Sequence, residues 1–383
     1  MARMNVYGSS QRQTEQAFIE VTNQMSNQSK VVLFFASTIY NFNLLVQLFN
    51  EKFPKAEVVG ITTVGEIHNS GIHENSLVAV SMTGEDVRAK SVFMADIHKY
   101  PIFDRPKLLE AATSIGINVN AHNLQKEGIA LVFPNGLVNA EERMLSVVNS
   151  IFPNSGFPVF GGTAGDDAKF EQTLVSSNGS ISSTAGVVLF LKSNHSFKIY
   201  KESIFEQFSE TTLVATKVDV EARRVYEFNG KKAVQEYARI LGVTPNTLES
   251  KFMAHPLGFV GKQLSVGSPM CVHEDGSISF YCQILRNAEL KILKPVEVLS
   301  TIENTVATVQ KEFKQVEGAF AVNCILRKIQ FKETKLLPSV NERLKNIPNL
   351  FGFCSYGEQL QNEQINQTLV LLVFGQLATE GYK

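Results

Sequence analysis

At 383 residues, 44% of them hydrophobic and 19% charged, the chain has a composition able to fill a core and a length suited to two domains. Thirty-six basic residues oppose 37 acidic ones without any block of one sign, so nucleic acid and anionic membrane surfaces have no compositional support as partners. The opening MARMNVYGSSQRQTEQ lacks the basic-then-apolar order of a signal peptide, and the apolar runs fall short of the roughly 20 residues of a membrane helix. Cys271, Cys282, Cys324 and Cys354 have no C-x-x-C spacing. A reduced, cytoplasmic chain without structural zinc or membrane insertion is therefore expected.

In chain order, residues 10–25 predict an amphipathic helix. KVVLFFAST (30–38) is an apolar run of strand length. Leu44, Leu45, Leu48 and Phe49 follow at helical spacing, and Pro54 stops that helix by disfavouring helical backbone at Phe53. AEVVG then leads into the turn GITTVGE (60–66), and SLVAVSMTG (76–84) reads as a further strand. The same order returns with GIALVFPN (128–135), a helix bearing Met144, Leu145, Val148 and Phe152, a stop at Pro153, the turn GGTAGDD (161–167) and AGVVLFLKS (185–193). It returns again with GAFAVNCILR (318–327), a helix through Leu337, Val340 and Leu344, a stop at Pro348, the turn GFCSYGE (352–358) and TLVLLVF (368–374).

Between the second and third copies the pattern breaks near 195–220. Residues 225–241 predict a strand, an Asn229-Gly230 turn and a helix; strands are expected over 276–285 and 289–294, and a long helix over 296–315. The prediction is an α/β protein of two domains, 1–205 and 206–383, built from duplicated strand–helix–strand units with largely parallel or mixed sheets. Ordinary α/β punctuation does not explain one helix stop and one glycine turn recurring three times. In open α/β sheets, ligands gather beyond the carboxyl ends of parallel strands, which is where these turns fall.

The turns admit more than one role. Glycine there can serve backbone approach alone, with the acid capping a nearby amide. A P-loop has Lys and Ser/Thr after its second glycine, whereas Gly60 to Gly65 and Gly352 to Gly357 are followed by Glu66 and Glu358. A carboxylate there would repel phosphate, so a nucleoside triphosphate site is excluded. Carboxylates beside backbone N–H groups suit a zwitterion, the acid taking its ammonium and the amides its carboxylate. Glu66, Asp166, Asp167 and Glu358 are also oxygen donors of the kind Mg²⁺ or Ca²⁺ takes, although no D-x-D-x-D-G loop is present.

The stretches GITTVGEI, GGTAGDD, FNGKKAVQEY, GAFAVNCILR, GFCSYGE and NQTLVLL resemble, in order and over nearly the whole chain, the landmarks of the FIST sensory family. The resemblance implies a small-ligand sensor of bacterial signal transduction, with amino acids or related molecules as ligands and a separate signalling partner such as a histidine kinase or a diguanylate cyclase. It carries the ligand-binding role to Thr63, Gly65, Glu66, Gly161, Gly162, Asp166, Asp167, Arg327, Tyr356, Gly357, Glu358 and Asn366. At the first turn Ile61 stands where family members often have cysteine, so no thiol chemistry is inferred there.

Some members of similar size bind haem and sense nitric oxide, which makes haem b the cofactor to test. Of seven histidines, His68 follows Glu66 near a strand end and His255 lies in the apolar MAHPLGFV; these two are the axial candidates, and His98, His122, His195 and His273 read as solvated. Without C-x-x-C-H, covalent haem is excluded. No G-x-S-x-G, H-E-x-x-H or kinase signature occurs, and adjacent Asp166 and Asp167 make a poor acid–base pair, so a non-catalytic protein is expected with a hydrolase as the alternative.

Overall fold

A computed structural model describes residues 3–154, 156–261 and 264–378. The first repeat is β1 (Arg3–Ser9), α1 (Thr14–Thr22), β2 (Val31–Ala36), α2 (Phe42–Lys52), β3 (Glu57–Thr62), the hairpin β4 (Glu66–His68) and β5 (Gly71–His73), and β6 (Leu77–Thr83). The second is β7 (Arg88–Met94), α3 (Arg105–Ser114), β8 (Ile129–Pro134), α4 (Glu141–Asn149), β9 (Val159–Gly162), the hairpin β10 (Val175–Ser177) and β11 (Ser180–Ser182), and β12 (Gly186–Lys192).

The third repeat opens with β13 (Ser196–Ser203) and is then interrupted by an inserted α/β segment over 205–295. That segment holds β14 (Phe205–Asp219), β15 (Arg224–Phe228), β16 (Lys231–Lys232), α5 (Ala233–Leu241), α6 (Pro245–Leu248), β17 (Leu257–Val260), β18 (Leu264–Gly267), β19 (Pro269–Val272), β20 (Ile278–Phe280) and β21 (Glu289–Pro295). The repeat resumes as α7 (Val298–Glu312), β22 (Phe313–Cys324), α8 (Ile325–Glu333), α9 (Leu337–Leu344), β23 (Leu350–Ser355), the hairpin β24 (Glu358–Leu360) and β25 (Glu363–Ile365), and β26 (Thr368–Leu377).

Each repeat contributes one parallel pair, β2 with β3, β8 with β9 and β22 with β23. Its last strand runs antiparallel beside the first, and its opening strand lies outside that. The sheets are therefore mixed. The hairpins do not stay with their own repeat: β10–β11 extends the first sheet, β24–β25 the second and β4–β5 the third. Each six-stranded sheet is completed by a neighbour.

The continuous apolar runs are explained by burial on both faces. Inward-facing residues of all three sheets meet in one core, where Phe35, Phe133 and Phe320 bring ring centroids to 5.3–6.5 Å of one another. Outward-facing residues pack against each repeat's own helices. On α2 the buried stripe is Phe42, Leu45, Val46 and Phe49, started by Asn41, whose side chain accepts from Leu44 N, and stopped at Phe53 ahead of Pro54. Leu44 and Leu48 sit at the edge of that stripe rather than in it.

Four details differ from expectation. Strand β22 ends at Cys324, and Ile325 to Arg327 begin α8 instead of continuing the strand. Only Ile278–Phe280 of 276–285 is strand. The opening strands β1, β7 and β13 carry little continuous apolar sequence, since they lie at sheet edges with intermediate exposure, and none was foreseen. Helix α1 is shorter than 10–25, since Gln13 ahead of it is extended and the helix ends at Thr22.

Candidate site at the ring of glycine turns

The three glycine turns meet. Gly165 N donates to Thr62 O at 2.9 Å, Thr163 N to Gly357 O at 2.9 Å, and Val64 N to Cys354 O at 3.2 Å, so each turn is tied to the next and the ring closes. Cys354 N also donates to Gly65 O at 2.7 Å and Asp167 N to Thr63 O at 2.9 Å. Glycine is required by this crowding. Gly65 has φ +129°, and a Cβ on Gly161 would fall 1.9 Å from Val132 O. Gly162 and Gly357 are packed as closely, the first against Val322 and Phe353, the second under the amide groups of Gln364 and Asn366.

Glu66, Asp166 and Glu358 are all buried, and the first and last share one arrangement. Glu66 accepts from Thr63 Oγ1 at 2.5 Å, Ser76 Oγ at 2.6 Å and Ser76 N at 3.1 Å. Glu358 repeats that arrangement with Ser355 Oγ at 2.7 Å, Thr368 Oγ1 at 2.7 Å and Thr368 N at 3.4 Å. Burial pushes Glu66 up to about 7 and Glu358 up to about 8, and outweighs the hydroxyl donors that favour the carboxylate. Hydroxyls donate or accept, so these partners serve either protonation state.

Asp166, at the corresponding position of the second turn, faces elsewhere. Its oxygens accept from Phe170 N at 3.0 Å, Glu171 N at 2.7 Å, Gln172 N at 2.9 Å and the hydroxyl of Tyr356. Asp167 accepts from Ser37 Oγ at 2.8 Å, Thr38 N at 2.7 Å and Thr38 Oγ1 at 2.6 Å. Together they pin the loop that follows β9 onto the loop that follows β2. The pinned segment is strained: Asp167, Ala168 and Phe170 have φ of 56°, 63° and 57°, a region L side chains rarely enter. Phe170 is 59% exposed and lies flat on Tyr356 with ring centroids 5.0 Å apart.

Beneath this loop is a cavity of about 250 Å³ whose walls include Tyr40, Asn41, Phe42, Asn43, Asp166, Lys169, Glu171 and Gln172. Phe42 and Asn43 belong to the first turn of α2, whose amides have no partner within the helix and carry the positive end of its dipole. Lys169 reaches across to Thr38 Oγ1 at 2.6 Å. The cavity thus offers both signs of charge, and Lys169, Glu171 and Tyr40 were not among the residues expected from sequence. The signal was present in GDDAKFEQ, where a lysine and a further acid follow the acid pair.

The other expected residues have interior roles. Arg327, 1% exposed, directs its guanidinium to the Glu202 carboxylate and donates Nε to Asn323 Oδ1 at 3.1 Å. Asn366 is buried, with Oδ1 3.5 Å from Ser268 N, and joins the last hairpin to the inserted segment. Cys324 and Cys354 are fully enclosed, and burial raises the Cys354 thiol to about 11. Among the described residues no group of three or more His, Cys, Asp and Glu side chains is placed to hold a metal ion.

Both axial candidates are engaged by neighbouring side chains or backbone. The His68 ring fills the space over Gly8 and stacks on His73 at 4.1 Å, and burial lowers it to about 4. His255 spends Nδ1 on Leu293 O at 3.0 Å and packs edge-on to Phe208. Neither lines the cavity above. His273, expected to be solvated, is half-buried and bonded to Ser279.

The FIST N domain model matches residues 30–231 and the FIST C domain model residues 233–361. An uncharacterized protein of Methanocaldococcus jannaschii is 24% identical over 274 residues, covering 62% of this chain and 51% of that protein, so the chain spans about half the length of this curated relative. Among solved structures, a cyanuric acid hydrolase from A. caulinodans aligns with TM-score 0.37 and 6% identity over 98% of this chain and 100% of its own. PurLQS from Thermotoga maritima aligns with TM-score 0.20 and 9% identity over 99% and 74%. Among the described residues no helix is long and apolar enough to cross a membrane. With both family models matched across residues 30–361, the chain belongs to the FIST family, whose domains are sensory modules of signal transduction.

Proposed function

We propose that the protein is a non-catalytic sensor of a small zwitterion, an amino acid or a close analogue, bound in the cavity between the loop 166–172 and the first turn of α2 and reported to a separate signalling protein. The observation that carries this reading is the strained loop. Three non-glycine residues at positive φ within four positions store about 1–3 kcal/mol each, and such strain collects at ligand clamps and switch segments. The cavity supplies the complementary chemistry. Lys169 and the amides of α2 suit the ligand's carboxylate, and Glu171 suits its ammonium. At about 250 Å³ it lies below the range of about 300–1,000 Å³ for drug-sized ligands, which fits a molecule of few heavy atoms.

In this reading Glu66, Glu358 and Arg327 hold the ring together, and Asp166 and Asp167 set the shape of the binding loop. The candidate nucleophiles of the third turn, Ser355 and Cys354, are buried in the ring and do not line the cavity. Ser355 donates to Glu358, and the Cys354 thiol stays protonated at physiological pH. A ligand that binds only one loop conformation shifts the population toward it, and this is the change a partner can read.

The test is a thermal-shift screen of single amino acids on the whole chain, repeated with Lys169→Ala and Glu171→Gln. A ligand at 100 times its Kd stabilises by about 2.7 kcal/mol. Stabilisation by at least one amino acid, lost in both variants, is expected. No shift with any of them, or shifts unchanged by the variants, would remove the zwitterion from this cavity.

A further inference from the structure

The opening strand of each repeat lies against a neighbouring repeat, and the three interfaces so formed are not alike. Strand β1 lies against β22, where Met4 is buried and a Cβ on Gly318 would meet its sulfur. Strand β7 lies against β3 and β10, where Glu57 accepts from Lys90 Nζ, Ser91 N, Ser91 Oγ and Asn178 Nδ2 at 2.5–3.1 Å. Both interfaces are filled by side chains. At the third, between β13 and the amino ends of β8 and β9, a cavity of about 830 Å³ opens instead.

We propose that this open interface is a second binding site, for an amphipathic organic anion with an aromatic or long apolar body. The volume falls within the range of about 300–1,000 Å³ for ligand pockets. Its apolar wall is Ile129, Pro158, Leu191, Phe197, Ile199 and Phe374, contributed by the second and third repeats. The acid on the wall, Glu312, is engaged by the hydroxyl of Tyr200 at 2.5 Å and by Lys198 Nζ at 3.1 Å. Lys126, also on the wall, is exposed and has no ion-pair partner among the described residues. Polar side chains such as Asn123, Gln125, Asn194 and Gln361 share the wall with the apolar ones, so the lining suits a molecule with an apolar body and a polar end, and Lys126 favours carboxylate or sulfonate at that end. The site lies at the amino ends of the parallel strands, opposite the ring of glycine turns, so the two ligands would not compete.

The probe is 8-anilinonaphthalene-1-sulfonate, titrated into the whole folded chain well below its melting temperature. Saturable, blue-shifted fluorescence at one equivalent is expected. Ile199→Trp, which fills the cavity, should abolish it, and Lys126→Glu should weaken it about tenfold, as for a lost charge-assisted contact of about 1.4 kcal/mol. Absence of a saturable signal in the wild type overturns the proposal, as does an unchanged titration in Lys126→Glu. The exposed Lys126 variant decides the matter alone if Ile199→Trp does not fold.

Discussion

The first and third glycine turns share a device that the second lacks. In both, a turn hydroxyl and a residue at the start of the last strand, Thr63 with Ser76 just before β6 and Ser355 with Thr368 in β26, enclose a buried carboxyl. In the second repeat the matching strand position is Ala185, which accepts from Asn135 N as Ser76 accepts from Ser37 N. Thr163 there accepts from Gln359 Nε2 at 2.7 Å, and Asp166 swings out to three loop amides. One hydroxyl fewer leaves the acid without an inward partner. Repetition preserved the ring, and the departure in one copy built the loop over the cavity.

The largest effect that tests this contrast is on pH dependence. A carboxyl whose folded pKa exceeds its unfolded value near 4.5 stabilises fully below that value, and the stability is lost as pH rises through the folded pKa. With Glu66 at about 7 and Glu358 at about 8, stability should fall between pH 4.5 and 8. Even one pH unit of elevation at each gives about 3 kcal/mol in total. Denaturant titrations across that range should show the slope in wild type and in Asp166→Asn, and a flattened slope in Glu66→Gln/Glu358→Gln; an equal slope in all three would refute the contrast.

Next in size, Thr63→Val should destabilise by about 2 kcal/mol, by stripping a donor from an enclosed carboxyl, and Thr163→Val by about 1 kcal/mol. Chemical denaturation that ranked them in the opposite order would mean the second turn, not the first, is the mainstay of the ring. Asp166→Asn should act locally. Hydrogen exchange at 170–172 should speed up by about tenfold while core amides are unchanged, because the carboxylate holds only those loop amides and Tyr356. The smallest effect belongs to Lys169→Ala, exposed and outside the ring, whose melting temperature without ligand should stay within about 1 °C of wild type.

The repeats were legible because the signals that mark them are local. Apolar runs such as VVLFF, proline stops after Phe53 and Phe152, and glycines that crowding demands can each be read within a few residues. The family landmarks were legible for the same reason. The hairpin exchange was not, since Glu66 pairs with Phe353 and nothing near either residue names the other. The cavity was half legible: Asp166 stood out as a turn acid, but Lys169, Tyr40 and Asn43 join it only because Asp167 ties two loops that are remote in sequence. The burial of Glu66 and Glu358 was not legible either. A carboxylate at a strand end reads as a ligand contact, and burial depends on neighbours the sequence does not display.

The exchanged hairpins also bear on how the chain is made. As it emerges from the ribosome, the first repeat can pair β1, β6, β2 and β3, yet its β4–β5 hairpin has no sheet to join until β23 arrives. The first sheet likewise waits for β10, and the second for β24. No third of the molecule closes by itself, so strands of the third repeat lock those of the first and second. High sequence separation of this kind slows folding and leaves sheet edges open meanwhile. A nascent chain cut after residue 205 would carry those edges permanently and would depend on chaperones to stay in solution.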